Sequence, residues 1–154
     1  MKKPGRTAYF YLAAIAVIVL DQTIKFFVKK TETGKELADW GFFSFTHVHN
    51  YGAGFSILQG QNWLFILIAI VFIALIIALY KKIEKNKTVQ AGFALLLGGT
   101  AGNLIDRVSY GYVIDYLNFK IWPVFNIADS AITVGAVLVG IYYIIKEKKK
   151  TKKK

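Results

Sequence analysis

Two aspartates, Asp115 and Asp129, stand in strongly apolar stretches of the chain, and a third, Asp106, lies a short distance upstream. A carboxylate at or near the depth of a lipid bilayer is costly unless it is paired, hydrated or neutralised. Ionisable groups in such a position usually mark a functional site, so these aspartates are the first candidates for catalytic residues.

Asp115 and Asp129 are candidates for a pair of carboxyl groups that shares one proton. An apolar setting raises the pKa of a carboxyl group, as a general acid requires. The residues beside Asp115 are apolar or aromatic: Val113, Ile114, Tyr116 and Leu117. If Asp115 and Asp129 face one another, one can take a proton from water while the other protonates a carbonyl oxygen or a departing amine. This is aspartic-peptidase chemistry, which needs no covalent intermediate and no cofactor.

Other catalytic chemistries have little support. The chain contains no cysteine, which excludes thiol nucleophiles, disulfides and zinc-thiolate sites. His47 and His49 would share one face of a strand but lack a third ligand nearby, so we predict no metal site. No serine lies in the Gly-x-Ser-x-Gly pattern of a nucleophile elbow; the serines considered are Ser44, Ser56, Ser109 and Ser130.

Several polar residues have structural explanations as well as functional ones. Asn126 precedes Asp129 by three residues, so Asp129 could instead stabilise a helix start through the macrodipole. Asp21 and Lys25 are four residues apart, which predicts an intrahelical ion pair; the alternative is that they orient an outer loop or the substrate.

A third polar group lies further along the chain. Asn103, Asp106 and Arg107 fall at helical spacings that place them on one face. We predict an ion pair between Asp106 and Arg107, with Asn103 pinning the helix end. Arg107 could alternatively hold a lipid phosphate.

The composition indicates an all-α polytopic membrane protein of one domain, residues 1–154. Hydrophobic residues make up 55% of the sequence and the mean hydropathy is +0.44. Stretches of roughly 20 apolar residues predict four transmembrane helices, at about 8–28, 63–80, 89–105 and 127–145. Lysine and arginine cluster before the first span, between the second and third, and after the fourth, which predicts that both termini are cytoplasmic.

The two lysine-poor segments, about 29–62 and 106–126, must then face outward. Residues 42–49 have the aromatic and β-branched content of a strand, so a small sheet on the membrane surface is expected. Residues 110–124 are rich in Tyr, Trp and Phe and predict an interfacial aromatic segment, with Pro123 ending any local helix. Gly98 and Gly102 allow the third helix to pack closely in a bundle.

Five sequence blocks, spread in order over all four spans, resemble the bacterial lipoprotein signal peptidases, or type II signal peptidases. They are Asp21-Gln22-x-x-Lys25, Asn50-Tyr51-Gly52-Ala53-Gly54-Phe55, Gly102-Asn103-Leu104-Ile105-Asp106-Arg107, Gly111-Tyr112-Val113-Ile114-Asp115-Tyr116 and Phe125-Asn126-Ile127-Ala128-Asp129-Ser130. The resemblance implies an aspartic peptidase of the bacterial inner membrane, with its site near the extracytoplasmic face. It implies cleavage of diacylglyceryl-modified prolipoproteins just before the lipid-bearing cysteine.

The resemblance also assigns residues and partners. It makes Asp115 and Asp129 the catalytic pair, and it implies supporting or substrate-binding roles at Asp21, Lys25, Asn50, Gly52, Gly54, Asn103, Asp106, Arg107 and Asn126. Ile114 and Gly54 depart from the family's commoner valine and alanine. The implied partners are lipid-modified signal peptides, membrane lipids and globomycin-like cyclic peptide inhibitors, without nucleic acid.

Two other functions are compatible with buried acids in a membrane. An ion- or proton-coupled transporter would need polar groups through the membrane, whereas residues 63–80 carry no internal charge. A noncatalytic membrane subunit would use the acids only for helix pairing.

Overall fold

The computed structural model describes residues 5–52 and 58–152, which form four long helices and one small sheet. The helices are α1 (Arg6–Val28), α2 (Asn62–Leu79), α3 (Lys87–Tyr110) and α4 (Ile127–Thr151). Each is long and apolar enough to cross a membrane, which confirms the four predicted spans. Two helices exceed their predicted length, because α3 continues past residue 105 and α4 continues into the lysine tail.

Helix α3 is the centre of the bundle and packs against α1, α2 and α4. Glycines make this possible: a Cβ on Gly98 would lie 2.6 Å from the carbonyl oxygen of Ala14 in α1, and one on Gly99 would lie 2.4 Å from that of Ala128 in α4. Helices in lipid gain little from hydrophobic burial, so close backbone approach supplies much of their association energy. A Cβ on Gly102 would lie 2.8 Å from the Asp21 carboxylate, so the close packing predicted at Gly98 and Gly102 is confirmed.

A three-stranded antiparallel sheet lies at the end of the bundle where α1 and α3 finish. Its strands are β1 (Glu36–Asp39), β2 (Ser44–Asn50) and β3 (Val113–Asn118), in the order β1-β2-β3. Val28 of α1 packs against Ile114 and Tyr116 of β3, which fastens the sheet to the helices. The predicted strand at 42–49 is confirmed.

The aromatic segment 110–124 contains a strand that its sequence does not predict. β3 pairs with β2, and Leu117 also bridges to Phe125. The position of this segment at the membrane interface stays a prediction. Pro123 follows a strand and ends no helix. The local sequence does not reveal this strand because its partner β2 lies more than sixty residues away, with Val48 opposite Asp115.

Candidate active site

Asp115 lies in the middle of β3 and is almost fully buried, with 1% of its surface exposed. Its carboxylate accepts hydrogen bonds from two neutral amides: Asn126 Nδ2 at 2.7 Å and Asn50 Nδ2 at 2.9 Å. Burial and the nearby Asp129 charge raise the pKa of Asp115 from 3.8 to about 7. The group can therefore bind and release a proton near neutral pH.

Asp129 occupies the first turn of α4, next to the helix start. Asn126 is the N-cap, and its side chain accepts a hydrogen bond from the Asp129 backbone N–H at 2.8 Å. In return the Asp129 carboxylate accepts one from the Asn126 backbone N–H at 3.2 Å. This reciprocal capping box bears out the helix-start geometry considered for Asp129. The second carboxylate oxygen of Asp129 accepts a hydrogen bond from Asn103 Nδ2 at 2.7 Å.

Two asparagines connect the aspartates into one network. The Asn126 side-chain amide donates to both Asp115 and the side-chain oxygen of Asn103, the latter at 3.2 Å. Asn103 in turn donates to Asp129. The amides are neutral, so they orient both carboxylates without supplying the positive charge that would hold them ionised.

A buried lysine organises the neighbouring charges. Lys25 Nζ lies 2.8 Å from Asp21 and 2.7 Å from Asp106, and it donates to Asn103 Oδ1 at 3.1 Å. The predicted Asp21–Lys25 ion pair is confirmed. The predicted Asp106–Arg107 pair is wrong, because Asp106 faces α1 and binds Lys25 and Gln22 there. Adjacent helix residues point about 100° apart, so Asp106 and Arg107 contact different neighbours.

Arg107 instead holds the backbone just after β2. Its guanidinium donates to the Gly52 carbonyl oxygen at 2.7 Å and lies 4.7 Å from the centre of the Phe65 ring. The Gly52 N–H donates to the side chain of Asn50, the residue that also binds Asp115. Arg107 therefore fixes the backbone beside the aspartate. Gly54, a predicted supporting residue, lies outside the described residues.

A cavity of about 540 Å³ opens beside these groups. Its polar lining includes Asn103, Arg107 and Asp129, and its apolar lining comes from β3, the 122–125 segment and α4. Such a cavity can accept an apolar chain with a polar bond next to Asp129. Asp115 reaches the same region through Asn50, which also lines the cavity.

The two histidines lie together on the sheet but serve local contacts. Their ring centres are 4.9 Å apart, as expected for residues on one face of a strand. His47 binds the Thr31 carbonyl oxygen through Nδ1, and His49 stacks on Tyr112 at 3.8 Å. Within residues 5–52 and 58–152 no cluster of three or more His, Cys, Asp or Glu side chains could hold a metal ion. Independence of metals stays a prediction.

Three residues that sequence reasoning did not assign support the site. Gln22 donates to Asp106 at 2.9 Å and to the Gly102 carbonyl oxygen at 3.1 Å. The buried Tyr116 hydroxyl accepts a hydrogen bond from the Ile127 N–H at the start of α4. Asn62 donates to the Arg107 carbonyl oxygen. Gln22 was detectable as a polar residue inside an apolar span, whereas nothing in the local sequence marks the other two.

Comparison with known proteins agrees with this geometry. A family model described as Signal peptidase (SPase) II matches residues 13–145. The lipoprotein signal peptidase of Halothermothrix orenii is 43% identical over 142 residues, covering 90% of this chain and 97% of that protein. That of Listeria welshimeri is 39% identical over 149 residues, covering 92% and 96%.

Solved structures share the fold. A bacterial membrane enzyme determined by the in meso method at 2.3 Å resolution superimposes with a TM-score of 0.86 at 31% identity, covering 100% of this chain and 98% of that one. A second, at 1.9 Å resolution, has a TM-score of 0.79 at 31% identity, covering 88% and 92%.

Four membrane-crossing helices that gather buried carboxylates at one end define a multi-pass membrane enzyme of the aspartic peptidase class. More particularly, the chain belongs to the signal peptidase II family, whose members include the lipoprotein signal peptidases above.

Proposed function

We propose that the protein removes signal peptides from diacylglyceryl-modified prolipoproteins, cutting just before the lipidated cysteine, with Asp115 and Asp129 as its catalytic pair. The observation that carries the proposal is the shared amide network: Asn126 bonds to Asp115 and also caps α4, whose first turn contains Asp129. Carboxylates linked in this way titrate as a pair and can hold one proton between them.

The two aspartates have different settings, which supports different roles. Asp115 has a pKa raised to about 7 and carries the shared proton. Asp129 lies at a helix N-terminus, where the macrodipole favours a carboxylate anion. Asp129 therefore takes a proton from water as the oxygen attacks the scissile carbonyl carbon, while Asp115 donates its proton to the carbonyl oxygen. When the resulting diol collapses, one of its hydroxyl groups gives a proton to Asp115. Asp129 gives the proton that it took from water to the departing amine.

The substrate's chemistry suits the cavity. A lipidated signal peptide reaches the enzyme from within the bilayer, and water must come from outside it. The cavity beside Asp129 joins apolar walls to polar groups at one end of the bundle. Placed near the extracytoplasmic face of the bacterial inner membrane, it would meet both demands, and globomycin-like cyclic peptides would compete for it.

Substitution of the aspartates tests the proposal. Asp115→Asn or Asp129→Asn keeps the shape and hydrogen-bonding capacity of the side chain but removes its ability to carry the proton. Each change should lower cleavage of a diacylated prolipoprotein by about a thousandfold or more, with insertion and folding retained. The double variant should be little worse than either single one, since residues that act as one unit are not additive.

Ser109 offers a control at the same end of the bundle, because it is exposed and its side chain makes no hydrogen bond among the described residues. The Ser109→Ala protein should cleave at the normal rate. Substantial cleavage by a well-folded Asp115→Asn or Asp129→Asn protein would refute the catalytic assignment.

A further inference from the structure

A second large cavity lies at the opposite end of the bundle from the aspartates. It is a groove of about 620 Å³ between the first turns of α1 and α3. Phe10 and Ala13 of α1 form one side, and Ala91 and Ala94 of α3 form the other. Most of α1 is exposed on the outside of the bundle. The groove is therefore open to the hydrocarbon, and an acyl chain fits its apolar walls.

Three cations surround the polar end of this groove: Arg6, Lys85 and Lys87. Within the described part of the chain, none of the three makes an ion pair. Glu84, the acidic residue next to them in sequence, is bound to Lys146 of α4. Three neighbouring cations without an acidic partner attract an anion, and a groove between helices at the membrane boundary is a known setting for anionic headgroups.

Gln90 adds a hydrogen-bond acceptor to this groove, whereas the three cations are donors. Its side chain lines the groove and is 7% exposed. The amide nitrogen donates to the Glu84 carbonyl oxygen at 2.9 Å, but the buried side-chain oxygen has no hydrogen-bond partner among the described residues. A buried acceptor without a donor is costly, so this atom is free to accept a hydrogen bond from a ligand that offers an O–H or N–H group.

We propose that this groove is a binding site for an anionic phospholipid with a hydroxyl-bearing headgroup, of the phosphatidylglycerol type. The phosphate binds among Arg6, Lys85 and Lys87, and a headgroup hydroxyl donates to the Gln90 side-chain oxygen. One acyl chain lies between Phe10 and Ala91. The three requirements of the groove are an apolar tail, a negative charge and a hydrogen-bond donor, and this lipid class meets all of them.

A neighbouring groove fits the second acyl chain. It has a volume of about 640 Å³ and runs on the α2 side of α1, past Tyr11, Ile77 and Ala78. Arg6 and Lys85 line this groove as well as the first one. A phosphate held by these two cations therefore has a groove on either side of α1, and the aliphatic side chains of Ile77 and Ala78 offer the second chain of a two-chain lipid an apolar contact.

Lipid retention by the full-length protein tests the charge requirement. The purified chain is titrated with phosphatidylglycerol or phosphatidylcholine in detergent, and bound lipid is counted by native mass spectrometry. Phosphatidylglycerol should be retained preferentially, and Arg6→Gln/Lys85→Gln/Lys87→Gln should weaken it by about tenfold or more. The matched control is Lys148→Gln/Lys149→Gln/Lys152→Gln, which removes the same charge from exposed positions on and just after α4 and should retain the lipid. Equal loss in both variants would show general electrostatic attraction and overturn the proposal.

Two further changes test the other contacts. Gln90→Leu should remove the preference for phosphatidylglycerol over phosphatidylpropanol, which has the same charge but no headgroup hydroxyl. Ala91→Trp should fill the groove and displace the lipid, whereas Ala136→Trp, at an exposed position on α4, should not. A Gln90→Leu protein that still prefers phosphatidylglycerol, or an Ala91→Trp protein that binds it normally, would contradict the proposed pose.

Discussion

Neutral amides and a buried lysine have different roles around Asp115 and Asp129. Asn126 and Asn103 orient the two aspartates and leave them able to exchange a proton. Lys25 binds Asp21 and Asp106 and also donates to the side-chain oxygen of Asn103. Because the Asn103 oxygen points at Lys25, its amide nitrogen points at Asp129. Lys25 thus positions a residue of the network without touching the proposed catalytic pair.

Removal of Lys25 should first affect folding. Lys25→Met leaves two buried carboxylates without their cation, and breaking a buried ion pair from one side costs about 3–5 kcal/mol. The neutral triple variant Asp21→Asn/Lys25→Met/Asp106→Asn removes that penalty and should recover thermal stability in detergent. Its cleavage rate should remain low, because Asn103 has lost its orienting partner. If the stable triple variant cleaved at the normal rate, Lys25 would have only a structural role.

The raised pKa of Asp115 predicts a particular dependence of stability on pH. The carboxyl group binds its proton more tightly in the folded protein than in the unfolded chain. Its stabilising contribution is therefore fully present below about pH 3.8 and is lost as the pH rises to about 7. The Asp115→Asn protein lacks this titration. Thermal unfolding followed from about pH 4 to about pH 8 should show the normal protein losing stability relative to the variant; parallel curves would contradict the raised pKa.

At the level of elements, the site is assembled from residues of one strand and two helices. β3 carries Asp115, the first turn of α4 carries Asp129, and α3 supplies Asn103 between them. The Ala128 N–H of α4 donates to the Asp21 carboxylate of α1 at 3.0 Å, which joins the start of α4 to a second helix. The position of Asp129 therefore depends on how closely α3 lets α4 approach.

Gly99 controls that approach. A Cβ at Gly99 would lie 2.4 Å from the Ala128 carbonyl oxygen, so Gly99→Ala must displace the start of α4. We expect a loss of stability of about 1–3 kcal/mol, as for other overpacked sites, together with reduced cleavage because Asp129 moves. Gly140→Ala is the matched control, since a Cβ there meets nothing within 4 Å. Thermal unfolding and cleavage rates of the two variants give the comparison, and equal behaviour would contradict this role of Gly99.

At the scale of the whole molecule, charge is distributed unevenly between the two ends. The end with the N-terminus of α1, the α2–α3 connection and the C-terminal part of α4 carries most of the lysines, while the aspartates and the sheet occupy the other. Cytoplasmic loops are enriched in lysine and arginine. This asymmetry supports cytoplasmic termini and an extracytoplasmic active site.

Cysteine labelling tests the orientation. The unsubstituted chain has no cysteine, so it serves as the unlabelled control. Lys35→Cys lies on the sheet side and Lys82→Cys lies after α2, and both positions are exposed. An impermeant maleimide added to intact cells should label only Lys35→Cys, while permeabilised cells should show both. Labelling of Lys82→Cys in intact cells would reverse or dismiss the proposed topology.

Much of the architecture could be predicted from local sequence. Apolar stretches predict membrane helices because hydrocarbon demands about 20 apolar residues per crossing, and α1, α2 and the apolar part of α4 match the predictions closely. Asp115 and Asp129 stood out for the same reason, since a charge in an apolar stretch is conspicuous. The motif blocks added the family, which the comparisons confirmed.

Only the tertiary structure could decide which polar groups meet. Asp106 and Arg107 are neighbours in sequence, yet one binds Lys25 and the other binds Gly52, because adjacent helix positions face different elements. β3 forms because β2 presents free backbone groups to residues 113–118, a partnership that no local pattern encodes. The hydrogen bonds from Asn126 to Asp115 and from Asn103 to Asp129 likewise join separate elements. Hydrophobic periodicity depends on neighbouring residues, whereas partner choice depends on how distant segments pack.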